Sequence, residues 1–154
     1  MIYYDLYKYK KWTFLILASQ KGLKEINLYN NEDLSKYTTN KEIMSPYIKL
    51  LDNYFNKKEL PNFNLDINGT NFQMMVWEEL MKIGFGETTN YETLAKKINN
   101  PKSSRAVGNA VGMNPILIFI PCHRVIRKDG KLGGFSSDPQ LKVELLNFEN
   151  SFKF

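Results

Sequence analysis

The chain has 154 residues, 43% hydrophobic and 14% aromatic, which suits one packed domain or two small ones and excludes an intrinsically disordered chain. One cysteine cannot close an internal disulfide, and one Cys with one His cannot build a Cys/His zinc site within a monomer, so no metal is expected. The net charge of +5 is uneven: residues 96–131 hold eight basic residues against Asp129 alone, a local +7 that implies an anionic partner, nucleic acid foremost, or else a solvated lysine-rich face.

No apolar h-region opens the sequence, and the run at 14–18 is far shorter than the ~20 residues that span a bilayer. No membrane association is expected, and the lone cysteine suits a reducing, cytoplasmic setting. Residues 13–18 and 23–29 are strand candidates separated by the turn signal Gln20-Lys21-Gly22. Ser45-Pro46 predicts a helix start, with Ile48, Leu51 and Phe55 on one face. Residues 61–68, polar and interrupted by Pro61, are expected to link an N-terminal α/β domain (1–60) to a second domain (69–154).

The second domain opens with an amphipathic helix over 72–83, in which Phe72, Val76, Leu80 and Ile83 stack; Gly84 and Gly86 end it. A short helix over 88–98 follows, and Asn99-Asn100-Pro101 breaks it. Ser103 or Ser104 then caps a helix over 105–111. Two short helices joined by a turn, the second opening with Arg105, predict a helix-turn-helix. The small residues Ala106, Gly108 and Ala110 suit close approach of a nucleic-acid backbone or ordinary helix packing. An apolar strand over 115–120 is expected to deliver Pro121-Cys122-His123-Arg124. A glycine-rich loop at 130–139 lacks the Gly-Lys-Ser/Thr ending of a P-loop. In the last helix, 140–149, Leu141, Leu145 and Phe148 form one stripe, and Lys142, Leu146 and Glu149 share another face. The fold class is therefore α+β: a small strand-rich N-terminal α/β domain and a mainly helical C-terminal domain with a helix-turn-helix.

The only cysteine and the only histidine stand side by side at the end of the apolar run. Thiol and imidazole are the side chains most often recruited for nucleophilic and proton-transfer chemistry near neutral pH, which makes Cys122 the candidate nucleophile. A lone cysteine also serves as a small buried hydrophobe, and a lone histidine as a structural residue.

Ordered motifs then converge. Gly69-Thr70-Asn71-Phe72-Gln73, Val76-Trp77, Gly86-Glu87-Thr88, Tyr91, Arg105-Ala106-Val107-Gly108, Asn114-Pro115-Ile116, Pro121-Cys122-His123-Arg124-Val125-Ile126, the glycines of 130–134, Lys142, Leu145-Leu146 and Glu149 resemble the O6-alkylguanine-DNA alkyltransferases (methylated-DNA–protein-cysteine methyltransferases). The resemblance implies DNA repair by direct reversal: a single-turnover transfer of the alkyl group from O6-alkylguanine in duplex DNA to Cys122 after base flipping, with O4-alkylthymine a further candidate substrate. It implies no cofactor, and a monomer whose partner is double-stranded DNA carrying the lesion.

In an extended segment Cys122 and His123 point to opposite faces, so direct contact is not expected. The resemblance places a water between them and assigns Glu149 to orient His123. It assigns the Tyr91 hydroxyl to a ring nitrogen of the guanine, and Lys142 with the Ser136 N–H to O6. The Val125 carbonyl would hold the exocyclic amine, Asn114 the turn around the site, and Phe135 the aromatic position of the pocket loop. Arg105 fills the place of the flipped base, and Ala106 and Gly108 suit a helix docked in the minor groove. Lys102 and Arg124 belong to the basic segment that meets phosphates.

Two positions depart from the family pattern. Ser137-Asp138 stand where two glycines are usual, adding bulk and negative charge. Gly84 replaces a proline, a change expected to loosen the turn that follows. Three further readings stand beside this one: a non-enzymatic binder of alkylated DNA, against which Cys122 argues; a helix-turn-helix regulator, which leaves Cys122, His123 and Glu149 idle; and a thiol hydrolase, which would turn over more than once.

Overall fold

The computed structural model describes residues 1–150, which divide into two compact units, Met1–Ile67 and one that begins at Asn68. Among the described residues no helix is long and apolar enough to cross a membrane.

The first unit is a four-stranded sheet carrying one helix. Its strands are β1 (Tyr3–Tyr9), β2 (Trp12–Ser19), β3 (Gly22–Leu28) and β4 (Thr38–Thr39), ordered β3-β2-β1-β4. β2 is central and reads as a nearly continuous apolar run because both of its faces are covered: Phe14, Ile16 and Ala18 are fully buried, and Leu15 and Leu17 nearly so. The predicted strands correspond to β2 and β3. β1 carried no signal for sequence reading, since its tyrosines alternate with Asp5, Leu6 and Lys8 and its partner is supplied by the antiparallel register Tyr3↔Ala18 to Tyr9↔Trp12. Residues 64–66 run along β3, where Leu23 N–H donates to the Asn64 carbonyl and Asp66 N–H to the Leu23 carbonyl. Gly22 permits that approach: a Cβ there would lie 2.6 Å from the Asn64 oxygen.

The helix α1 (Lys41–Phe55) starts four residues before the expected Ser45-Pro46 signal. Asn40 is the cap, its side chain accepting from the Ile43 N–H at 3.0 Å. Pro46 lies inside the helix, and the carbonyl it leaves without an N–H partner, that of Glu42, accepts from the Ser45 hydroxyl at 3.4 Å.

The second unit holds α2 (Asn71–Met81), β5 (Thr89–Asn90), α3 (Tyr91–Lys97), α4 (Ser104–Gly112), β6 (Val125–Ile126) and α5 (Pro139–Phe148). α2 opens with a capping box in which the Thr70 hydroxyl accepts from the Gln73 N–H and the Gln73 side chain accepts from the Thr70 N–H, each at 3.0 Å. Trp77 pins α2 to α4 by donating its indole N–H to the Ala110 carbonyl at 2.9 Å. α3 and α4 pack together across the turn at 98–103, as the helix-turn-helix pattern predicts. Ser103 occupies the α4 cap position, but its hydroxyl donates back to Asn100 and makes no cap bond. Asp138, one of the departures from the family pattern, caps α5 by accepting from the Gln140 N–H at 2.9 Å.

The expected strand over 115–120 does not form. Among the described residues the only sheet in this unit is the two-residue β5–β6 ladder; the run keeps a single bridge position, at Ile116, while turns and Asn114 serve other polar groups of its backbone. Asn114 donates from Nδ2 to the Ile120 carbonyl at 2.6 Å and accepts the Ile116 N–H at 2.9 Å. Ile118 sits at φ +73° with Phe119 N–H bonded to the Leu117 carbonyl, a γ-turn of the strained hand that a β-branched residue rarely adopts.

Candidate active site

Asn114 and the turns it brackets bring the chain to a single 3₁₀ turn, Cys122–Arg124, not to an extended segment. At three residues per turn, successive side chains diverge by about 120°, so Cys122 and His123 do not point to opposite faces as they would in a strand. Cys122 faces a cavity of about 70 Å³ lined by Tyr91, Val111, Gly112, Gly134, Phe135 and Ser136. The parallel pairs Thr89↔Val125 and Asn90↔Ile126 place Tyr91 there, since Tyr91 opens α3 directly after β5 and Val125 follows the 3₁₀ turn.

His123 and Arg124 turn inward to Glu149, at the C-cap of α5. His123 Nε2 lies 2.7 Å from Glu149 Oε2, while Arg124 donates from Nε to Oε1 at 2.8 Å and from Nη2 to Oε2 at 3.0 Å. Arg124 Nη1 also donates to the Ile83 carbonyl at 2.6 Å, and the Gly86 N–H donates to Glu149 Oε1 at 3.2 Å. All three side chains are buried. The bidentate arginine keeps Glu149 an acceptor, so His123 Nε2 is the protonated nitrogen and Nδ1 carries the lone pair. Nδ1 is buried and has no hydrogen-bond partner among the described residues, so no direct Cys–His bond forms.

Burial dominates the electrostatics. It pushes the Cys122 thiol up, against the Asn114 hydrogen bond, the Lys142 charge and the N–H groups of Cys122 and His123, which lower it. It pushes the His123 imidazole down, with Glu149 opposing, so the resting imidazole is neutral. Lys142 is fully buried on the second face of α5, donating to the Val125 carbonyl at 2.7 Å and the Gly134 carbonyl at 3.0 Å. Desolvation lowers it to about 8, with the charge of Cys122 acting in the opposite direction. Tyr91 is raised, first by burial and then by Cys122.

The residues expected at the site therefore fall into three groups. Cys122, Tyr91, Phe135 and Ser136 line the cavity, Asn114, Lys142 and Val125 support it, and His123 and Glu149 form the array behind it. Arg105, Ala106 and Lys102 are exposed at and before the start of α4, and Gly108 lies against the Tyr91 ring. Arg124 corrects the expectation: it does not reach a phosphate, because its guanidinium is buried and bonded to Glu149 and Ile83. Sequence reading missed Val111, Gly112 and Gly134 as lining residues, and Ile83 and Gly86 as backbone partners; backbone and small residues carry no chemical signature. An arginine inside an apolar neighbourhood was a usable signal for a buried pair. Among the described residues no group of three His, Cys, Asp or Glu is placed to hold a metal ion.

The expected loosening at Gly84 is also corrected. The Gly84 N–H donates to the Glu87 carboxylate at 2.6 Å, a bond that proline could not make, and Glu87 N–H returns to the Gly84 carbonyl at 3.0 Å.

Comparison with known proteins places this geometry. Residues 71–151 match the family model described as 6-O-methylguanine DNA methyltransferase, DNA binding domain, and residues 2–68 match its ribonuclease-like domain. A methylated-DNA–protein-cysteine methyltransferase of Methanosarcina acetivorans is 38% identical over 97% of this chain and 99% of its own length. An inducible one from Bacillus subtilis is 35% identical over 96% of this chain and 90% of its own. The crystal structure of the Mycobacterium tuberculosis OGT in complex with DNA superposes with a TM-score of 0.86 at 33% identity, covering 97% of this chain and 93% of that one.

Proposed function

This chain belongs to the 6-O-methylguanine DNA methyltransferase family, whose class of activity is DNA repair by alkyl transfer to a protein cysteine, and we propose that Cys122 is the acceptor, in a single-turnover reaction with O6-alkylguanine in duplex DNA. The observation that carries the reading is the sole thiol facing a cavity shared with Tyr91 and Ser136 while a neutral, oriented imidazole stands behind it.

His123 Nδ1 takes the thiol proton through a bridging water, the group that best satisfies a buried nitrogen lone pair with no protein partner. The imidazolium formed is stabilised by Glu149, whose carboxylate Arg124 has already aligned. The thiolate then attacks the alkyl carbon; the carbon–sulfur bond forms as the bond to O6 breaks, and the electron pair remains on the guanine. Lys142 and the Ser136 N–H support the developing charge at O6, and the Tyr91 hydroxyl supplies a proton to the ring, so that neutral guanine leaves. The thioether product has no carbonyl for water to attack, so each molecule reacts once.

A target atom stacked in a duplex cannot reach a buried thiol that lines a 70 Å³ cavity, which supports extrusion of the base. Arg105, exposed at the start of α4, is the side chain to occupy its place, with Ala106 and Gly108 allowing close approach and Lys102 meeting phosphate. The protein acts on this substrate as a cytoplasmic monomer; O4-alkylthymine offers the same alkyl–oxygen bond.

Intact mass after incubation with a duplex containing O6-methylguanine tests the assignment. A gain of about 14 Da in the wild type, absent in Cys122→Ala, is the expected result, since the nucleophile keeps one methyl group in exchange for its proton. Tight lesion binding without mass gain would replace alkyl transfer by a sensor role, and repeated turnover would replace it by hydrolysis.

A further inference from the structure

Beside the buried array, one short turn carries several of its contacts. Residues 84–87 form a type II turn, closed by the Glu87 N–H bond to the Gly84 carbonyl with Gly86 at φ +81° in its third position. The Ile83 carbonyl, just before it, accepts from Arg124; the Gly86 N–H donates to Glu149; and the Phe85 ring centroid lies 6.0 Å from the Arg124 guanidinium. Glu87 touches none of these groups directly. It is exposed, and its carboxylate accepts the Gly84 N–H at 2.6 Å. Glycine restrains its own φ least of all residues, so the first corner of the turn is held by that carboxylate where a proline ring would hold it covalently.

We propose that Glu87 is a positioning residue for alkyl transfer: by fixing the Gly84 N–H it holds the 83–87 turn so that Ile83 meets Arg124 and Gly86 meets Glu149, and thereby sets the carboxylate that orients His123. The role requires an acceptor oxygen and no charge, so Glu87→Gln preserves it and Glu87→Ala removes it. Gly84→Ala removes it by another route. A Cβ at that position collides with the Glu87 carboxylate oxygen and lies 3.2 Å from the carboxylate carbon, so the side chain must swing away.

The proposal deepens the alkyl-transfer reading, and rests on it only for the DNA assay. With the full chain, three quantities are compared among the wild type, Glu87→Ala, Glu87→Gln, Gly84→Ala and the Gly84→Ala/Glu87→Ala double variant, each verified as folded by circular dichroism. They are the single-turnover rate on O6-methylguanine duplex, the rate of Cys122 carbamidomethylation by iodoacetamide across the acid and neutral range, and the ring ¹⁵N shifts of His123, the sole histidine. The groups facing the imidazole (Glu149, Arg124 and Lys142) and those facing the thiol (Asn114, Lys142 and Tyr91) are unchanged in every variant.

Glu87→Ala and Gly84→Ala should each slow transfer roughly tenfold, the scale on which loss of an outer orienting partner is felt, and both should move the His123 shifts. The double variant should be no slower than either single one, because both break the same contact, and Glu87→Gln should stay within about twofold of wild type. Wild-type rates and shifts in Glu87→Ala, equal loss in Glu87→Ala and Glu87→Gln, or additive losses in the double variant would each overturn the proposal. Variant-dependent carbamidomethylation beside a wild type inert towards the duplex would support the positioning role and overturn alkyl transfer alone.

Discussion

Lys142 is fully buried, and it is held by two carbonyls, those of Val125 and Gly134, with no carboxylate against it among the described residues. Burial disfavours its charged form, so raising the pH through about 8 discharges it and removes the cation that supports a Cys122 thiolate. His123 limits the other side: with its pKa lowered, it stays neutral through the ordinary histidine range and would lose the base function proposed for it only in acid. The single-turnover rate should therefore be bell-shaped, falling below the histidine range and again above about pH 8. Lys142→Met should lose the upper limb and react more slowly by on the order of tenfold to a hundredfold, as measured by quenched methyl transfer over a pH series. An upper limb that survives in Lys142→Met would assign it to another group. At this scale much was legible in the sequence, because a lone thiol beside a lone imidazole stands out without a fold. The partners of Arg124 were not, since Ile83 and Glu149 are 41 and 25 residues away in the chain.

Helix α4 shows how an element can carry a residue that its own packing does not need. A Cβ on Gly108 would lie 3.8 Å from the Tyr91 ring, ordinary van der Waals contact, so the protein interior does not demand glycine there. Gly108→Ala should raise stability by about 1 kcal/mol through helix propensity and yet slow transfer from duplex DNA, while leaving iodoacetamide reactivity of Cys122 intact. Paired melting curves and rates decide it; unchanged transfer would remove Gly108 from the DNA face. Element reading succeeded where periodicity and caps were local, as for α2, α3 and α5. It failed where the deciding partner was remote or unconventional. Pro46 signals a helix start unless a neighbouring hydroxyl serves the freed carbonyl, as Ser45 does. The apolar run at 115–120 signals a strand, but turns and the Asn114 side chain take several of its backbone hydrogen bonds instead.

Across the molecule, the +7 of residues 96–131 overstates the charge free to meet DNA. Arg124 is buried on Glu149, Arg127 pairs with Asp129 at 2.8 Å, and Lys128 and Lys96 share Glu92 at 3.0 and 3.2 Å. Lys97, Lys102, Arg105 and Lys131 are exposed, with no ion-pair partner among the described residues. Binding of Cys122→Ala to duplex DNA should then fall with salt at a logarithmic slope of roughly −3 to −4, about −0.9 for each phosphate neutralised. Lys102→Ala should reduce the slope by about one, and Arg124→Ala should disturb folding with no matching change in slope. A slope near −6 would mean that the surface pairs open and all the exposed cations engage.

Composition, motif order and the Cys-His adjacency by themselves determined the family and the α+β class and marked Cys122 as the candidate nucleophile, because these depend on which residues follow one another. Tertiary structure alone decided that Cys122 ends a string of turns and not a strand, that Arg124 orders Glu149 and does not face solvent, and that Gly84 is tied by Glu87. Each of those outcomes depends on a partner for a backbone or charged group. Such partners are chosen by burial in three dimensions, where every polar group removed from water must find one.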